Sequence, residues 1–285
     1  MSNDHGLNYY KYRGCFNRTW DIITNRELYF SLPQNLNDPL DVSIDIQSEY
    51  ERAKVHVYNT DTHPEGRRSF LVTMLDSIRK GVDENGKDIY LNRALYLFMQ
   101  TRGVLSLSKT AHDALLWSHY ADGHRGVCLG FNSEILQIDG VTGTGDVKYL
   151  PNPPYMEKFL ELTDEFGEFC RPWDGLHFTE EQGKNFYNKQ VDAMLEIGLY
   201  TKSEDWRYEK EFRLTSAPGN RSFPSTALVE VIIGAKTSQA DEGKVRELLS
   251  NPDYAHVRLK KAFNIPGTFS FGSRLIDLQK LENQK

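Results

Sequence analysis

The stretch Trp206-Arg-Tyr-Glu-Lys-Glu-Phe-Arg-Leu-Thr215 decides how the chain is read. Tyr208–Thr215 reads as a strand. Residues i and i+2 of a strand point to the same face. Glu209 and Glu211 are therefore expected to project into one space, roughly 6–7 Å apart at the backbone. Two carboxylates held together can divide labour, because each raises the other's pKa. Bonds to an anomeric carbon break through an oxocarbenium-like transition state, which a nearby carboxylate stabilises. The plain alternative is a solvated strand face, with Lys210 and Arg213 as surface partners.

Two upstream strands belong with this one. Val104-Leu-Ser-Leu-Ser108 alternates and puts Ser106 and Ser108 on one face, either to hold a ribose or carboxylate or simply to face water. Tyr9-Tyr-Lys-Tyr-Arg13 is aromatic and alternating, and Gly14 follows it. A guanidinium at a strand end grips phosphate bidentately, and a glycine lets a ligand approach the backbone, although most Arg-Gly pairs are turns. Glu27–Ser31, Gly126–Phe131, Leu228–Ile233, His256–Lys260 and Thr268–Ile276 complete the expected strands. Helices are expected over Asn17–Thr24, residues 66–80, Leu91–Met99, Ala111–Tyr120, Phe186–Tyr200 and Ser238–Leu249, the last capped by Ser238. Pro151, Pro153 and Pro154 mark residues 142–171 as partly irregular. Strands interspersed with helices, without regular βαβ alternation, give an α+β class.

Several polar clusters carry two readings each. Trp117-Ser-His-Tyr120 and Asp122-Gly-His-Arg-Gly126 bring rings and histidines together. Trp117 and Tyr120 are read as packing residues, or as a stack for nicotinamide or adenine beside His119. His119 and His124 lack helical metal spacing, and no metal is expected. Asn37, Asp38 and Asp41 are read as an Asx-capped turn, with ligand contact as the alternative.

The chain has 285 residues, a net charge of -6 and 39% hydrophobic residues, enough for a packed core. That balance argues against nonspecific nucleic-acid binding over a basic surface, though not against a local basic groove. Three scattered cysteines, Cys15, Cys128 and Cys170, fit a reducing compartment better than a disulfide framework. With no signal peptide and no apolar span, the expectation is a soluble cytoplasmic protein. No GxGxxG follows a strand, and GxxxxGK[ST], HExxH and GxSxG do not occur, which disfavours the common dinucleotide oxidoreductases, P-loop enzymes, zinc proteases and serine hydrolases.

Taken in order, Tyr10–Arg13, Leu28–Ser31, Asn37–Asp41, Val104–Ser108, Trp117–Phe131 and Trp206–Arg213 resemble the motifs of a bacterial family known as a domain of unknown function, number 2971 in its series. The order Arg-Gly, Ser-x-Ser, Glu-x-Glu is also similar to the arginine–serine–glutamate class of ADP-ribosyltransferases. That resemblance implies one domain over residues 1–285, with a split, two-sheet β core and flanking helices around an NAD cleft. It makes Arg13 the phosphate or ribose contact, with Tyr12 beside it, and Ser106 the brace, with Ser108 on the same strand. Trp117, His119 and Tyr120 join them as cofactor-binding residues. Glu211 becomes the main catalytic acid and Glu209 the acceptor-side acid. The acceptor is a protein or a nucleic acid, and an antitoxin or immunity protein is the implied partner of a toxin in phage defence or a toxin–antitoxin pair. Three features depart from the class: Ser-Leu-Ser replaces Ser-Thr-Ser, a Trp-Ser-His-Tyr-Ala segment is added, and Lys11 competes with Arg13 for a position that is His in related transferases. Two other functions remain open: a non-catalytic nucleotide-sensing or interaction domain on the same fold, and a metal-dependent nuclease using Asp38, Asp41, Glu209 and Glu211.

Overall fold

The computed structural model describes residues 8–43, 46–60, 72, 80–82, 88–90, 99–170 and 180–276. The helices expected over residues 66–80 and 91–99 fall almost entirely outside them. The described residues hold fourteen strands: β1 (Tyr9–Arg13), β2 (Glu27–Phe30), β3 (Lys80–Val82), β4 (Asp88–Tyr90), β5 (Gly103–Ser108), β6 (Val127–Phe131), β7 (Gly143–Asp146), β8 (Lys148–Leu150), β9 (Thr201–Ser203), β10 (Glu211–Ser216), β11 (Gly219–Ser222), β12 (Leu228–Ile233), β13 (Arg258–Asn264) and β14 (Phe271–Leu275). With the helices between them, they make a mixed α+β protein.

The chain divides into two compact units, one built from residues 1–32, 103–147 and 205–285, the other from 33–102 and 148–204. The second unit packs the Ile46–Asn59 helix against Tyr155–Cys170, which in turn packs against Glu180–Tyr200. Tyr50, Ala53, Val57, Tyr155, Leu162, Met194 and Leu199 are buried there. Prolines 153 and 154 immediately precede the Tyr155–Cys170 helix. Proline tolerates a helix start because the first N–H groups have no intrahelical partner. The three prolines thus lie in the short irregular stretch 151–154 between β8 and this helix. Asn37–Asp41 is a self-capped turn: Asp38 Oδ1 accepts from the Leu40 N–H at 2.9 Å. Asp41 forms a buried ion pair with Lys202 at 3.4 Å.

The first unit is organised on an eight-stranded sheet in the order β14-β13-β12-β6-β1-β5-β10-β7. β6, Val127-Cys-Leu-Gly-Phe131, is buried throughout, as a run of apolar residues covered on both faces should be. Gly130 is required because a Cβ there would lie 2.6 Å from Glu230 Cγ. One face of the sheet carries the larger core, including Tyr9, Leu105, Leu107, Leu129, Phe131, Leu214 and Val231. The Asn17–Asn25 and Gln239–Leu249 helices contribute Ile22, Ile23, Val245 and Leu249 to it. The second helix starts as expected, with Ser238 Oγ accepting from the Asp241 N–H at 3.1 Å. The other face carries a smaller core of Tyr12, Leu116, Trp117, Cys128, Ile232 and Ala262.

β1 meets β6 over five register pairs, but meets β5 at one, Tyr10↔Ser108. The sheet therefore has a seam, with β14-β13-β12-β6-β1 on one side and β5-β10-β7 on the other. At the far end of β5, Ser31 and Val104 exchange both backbone hydrogen bonds, at 2.9 and 2.8 Å.

Candidate functional site

The decisive stretch does not run as one strand. Glu204–Glu209 is a 3-10 helix, Lys210 takes a left-handed φ of 46°, and β10 begins only at Glu211. The i, i+2 rule of a strand therefore does not apply to Glu209 and Glu211. A tight turn held from three sides joins them instead. Ser108 Oγ donates to the Glu209 carbonyl at 2.6 Å and accepts from the Thr110 N–H at 3.1 Å. The Lys109 N–H donates to the Lys210 carbonyl at 3.0 Å, and the Val147 N–H donates to the Glu211 carbonyl at 3.0 Å. A buried backbone needs such partners, and they hold Lys210 in a conformation that a non-glycine residue adopts at a cost. The brace in this site is Ser108. Ser106 lies opposite Arg213 in the β5–β10 ladder and offers its carbonyl to Lys11.

The two carboxylates have different surroundings. Glu211 receives Arg213 Nε at 2.7 Å on one oxygen and Arg213 Nη2 at 3.0 Å on the other. Arg213 is 0% exposed and Glu211 4%, so this bidentate pair lies inside the protein and not on a solvated face. Glu209, also buried, accepts a hydrogen bond from the Tyr120 hydroxyl. Across the seam, Lys11 Nζ donates to the Ser106 carbonyl at 2.7 Å. Burial and the neighbouring Arg13 push the Lys11 ammonium down to about 7, while the charges of Glu211 and Glu209 work in the opposite direction.

Arg13 closes β1 opposite Val127. Its guanidinium makes no ion pair among the described residues, and its buried Nε has no hydrogen-bond partner. Burial, then the charge of Arg18, lowers its pKa below the ordinary arginine value. Arg18 lies in the first turn of the Asn17–Asn25 helix, which has no side-chain cap and no acid in that turn. Two guanidiniums beside an uncapped helix start form an electropositive corner suited to an anion.

Tyr12 and Trp117 pack inside the smaller core and do not line a cleft. Their rings meet edge to face at 5.3 Å. The Tyr12 hydroxyl donates to the Thr110 carbonyl and Trp117 Nε1 to the Ala111 carbonyl. Ring surface beside the carboxylates comes from exposed His119 and from Tyr120, with centroids 6.3 Å apart, and from Tyr208, 6.2 Å from His119. Trp206 continues the row, 6.0 Å from Tyr208. The sequence reading missed Tyr208 as a site residue and gave Arg213 a place only in the alternative of a solvated strand face. The same period-two rule, started at Glu211 instead of Glu209, pairs Glu211 with Arg213.

Among the described residues, no group of three or more His, Cys, Asp or Glu could hold a metal ion. No helix among them is long and apolar enough to cross a membrane. Residues 116–214 match the model of a family described as Protein of unknown function (DUF2971). That stretch takes in the Trp117–Phe131 and Trp206–Arg213 motifs, and with them Tyr120, Glu209, Glu211 and Arg213. No curated protein and no solved structure matches the chain.

Proposed function

We propose that the unit carrying the eight-stranded sheet is an NAD-dependent ADP-ribosyltransferase, a glycosyltransferase that uses NAD as its substrate. The observation behind this is the seam. Lys11 reaches it from β1, and Ser108, Glu209 and Glu211 lie on its β5–β10 side, while Arg13, paired with Val127, points with Tyr9 to the larger-core face. A split α+β core of the transferase type, with NAD in the cleft, agrees with that arrangement. Arg13, with Arg18, would take the pyrophosphate. His119 and Tyr120, with Tyr208, would offer ring faces to a base or to nicotinamide.

In the reaction, the bond between the ribose anomeric carbon and the nicotinamide nitrogen breaks, and its electron pair leaves with nicotinamide. Glu211, oriented by Arg213, stabilises the oxocarbenium-like charge. A protein side chain or a nucleic-acid base attacks the anomeric carbon, and Glu209 takes its proton. The biological setting implied is a cytoplasmic toxin of phage defence or of a toxin–antitoxin pair, opposed by an antitoxin or immunity protein.

One observation favours a second function. Both Glu211 oxygens are already engaged by Arg213, which suits a nucleotide-sensing domain that binds NAD without turning it over. Nicotinamide release and label transfer from labelled NAD into a cell lysate separate the two. The transferase is expected to lose about 10²–10³-fold activity in Glu211→Gln, the scale of removing one preorganised electrostatic contact. NAD binding with equal, background release from wild type and variant identifies the sensing domain instead.

A further inference from the structure

Lys11, on β1, reaches across the seam with its side chain to the β5 backbone. An antiparallel ladder continuing past Tyr10↔Ser108 would set Tyr12 against Ser106. The ladder stops there, and the Ser106 carbonyl is met by the Lys11 ammonium. A buried carbonyl left by a broken ladder needs a donor, and a charged donor makes a stronger bond than a backbone N–H. The Ser106 carbonyl that it meets lies on β5 two residues from Ser108, which is paired with Glu211, and the charges of Glu211 and Glu209 raise the pKa of the ammonium. Arg213 faces Glu211 and Tyr120 faces Glu209, so Lys11 adds a cation to this buried set from the other half of the sheet.

We infer that Lys11 is a positioning residue for the carboxylate pair: its ammonium ties β1 to β5 at the Ser106 carbonyl and brings positive charge to Glu209 and Glu211 across the seam. The inference rests on the transferase function only for its effect on turnover. Its physical content stands apart from that function.

Burial is the first cause of the lowered Lys11 pKa. Arg13, on its own strand, opposes the ammonium, and Glu211 and Glu209, from β10 and the turn before it, favour it. With its pKa near 7, the amine is charged below neutral pH and neutral above it. The link across the seam is then pH-dependent in the physiological range. Protonation strengthens it, and proton loss leaves a neutral amine that still reaches Ser106 but no longer balances the carboxylates.

The test uses the full chain with 13C-labelled lysine and follows the ε-carbon resonances by NMR against pH. One resonance is expected to titrate near pH 7 and to vanish in Lys11→Arg. In Glu209→Gln and in Glu211→Gln its midpoint is expected to fall by more than about half a unit, because each removes a favourable charge. A Lys11 resonance titrating in the ordinary lysine range, or one indifferent to both substitutions, overturns the inference whatever the activity. Lys11→Gln keeps a neutral donor for Ser106 and serves where a larger or apolar replacement fails to fold.

NAD turnover provides the second readout. In wild type it is expected to decline as pH rises through 7, while Lys11→Arg holds it level to at least pH 9. A merely structural lysine gives the two proteins the same profile. A titration that responds to the glutamates, with no NAD turnover in any variant, supports the inference and removes the transferase function.

Discussion

The two halves of the sheet share one face and differ on the other. On the shared face, Leu105, Leu107 and Leu214 of the β5–β10 half join Leu129, Phe131 and Val231 of the β6–β12 half in a continuous apolar core. On the opposite face, the β6–β12 half is closed by Tyr12, Trp117, Cys128 and Ile232. The equivalent surface of the β5–β10 half holds Ser108, Glu211, Arg213 and Thr215, all buried. One half uses both faces mainly for packing, with buried Glu230 of β12 bonded by Tyr10 and Lys260. The other uses one face for packing and fills the second with polar groups that must satisfy one another, since unpaired buried charge is far more costly than unpaired apolar surface. Chemistry is therefore expected on the second half, and rigidity on the first.

The largest break in this contrast is expected from Arg213→Met. It removes the bidentate partner of Glu211 in the interior and should cost about 3–5 kcal/mol in urea unfolding, the scale for removing one partner of a buried pair. The double variant Glu211→Gln, Arg213→Met should recover much of that loss. Equal destabilisation by the single and double variants would mean that the polar face is not a coupled unit.

A smaller effect is expected from Ser108→Ala, which deletes the brace on the Glu209 carbonyl and the acceptor for the Thr110 N–H. About 1–3 kcal/mol is expected from leaving those groups unpaired. Turnover should fall by more than the unfolded fraction explains, because the Glu209–Lys210–Glu211 turn relaxes. A loss of activity that merely tracks unfolding would make Ser108 a packing residue like its neighbours across the seam.

The smallest effect should come from the rigid half. His124 sits in the turn leading to β6 with φ 70°, its ring 4.7 Å from that of Phe271. Burial, then Lys236, lowers its pKa below the ordinary 6.5. Between that lowered value and 6.5 the unfolded chain binds more protons, so stability falls as pH drops through this window. His124→Asn tolerates the left-handed backbone and should flatten the slope between pH 7 and 5 in thermal unfolding. An unchanged slope would assign the acid sensitivity to other groups.

Much of the rigid half could be read from the chain, because its strands announce themselves locally. The apolar run Val127–Phe131, the alternation in Tyr9–Arg13 and the Ser238 cap each carry a short-range signal, and each element forms where expected. The site half was legible in its membership and less so in its geometry. Glu209 and Glu211 are both buried, yet a strand is expected over residues where a turn forms. Nothing in the letters flags Lys210 as left-handed, since glycine or asparagine is the usual sign. The conformation is imposed by Ser108 and Lys109, about a hundred residues earlier in the chain. Trp117 shows the opposite failure. An aromatic ring beside polar residues suits a stack or a core equally well, and only its burial and its bond to Ala111 decide for the core.

The closed pair between Ser31 and Val104 bears on how such a chain can change over time. Residues 33–102, all within the second unit, leave and return where two strands are already hydrogen-bonded. An excursion that begins and ends on neighbouring bridged residues can grow, shrink or be exchanged at low entropic penalty, since the cost of closing it rises only with the logarithm of its length. Homologous chains are thus free to differ widely in size between β2 and β5 while β1, β5 and β10 keep the same spacing, and a compact version of the first unit could be assembled by joining the two strands with a short turn.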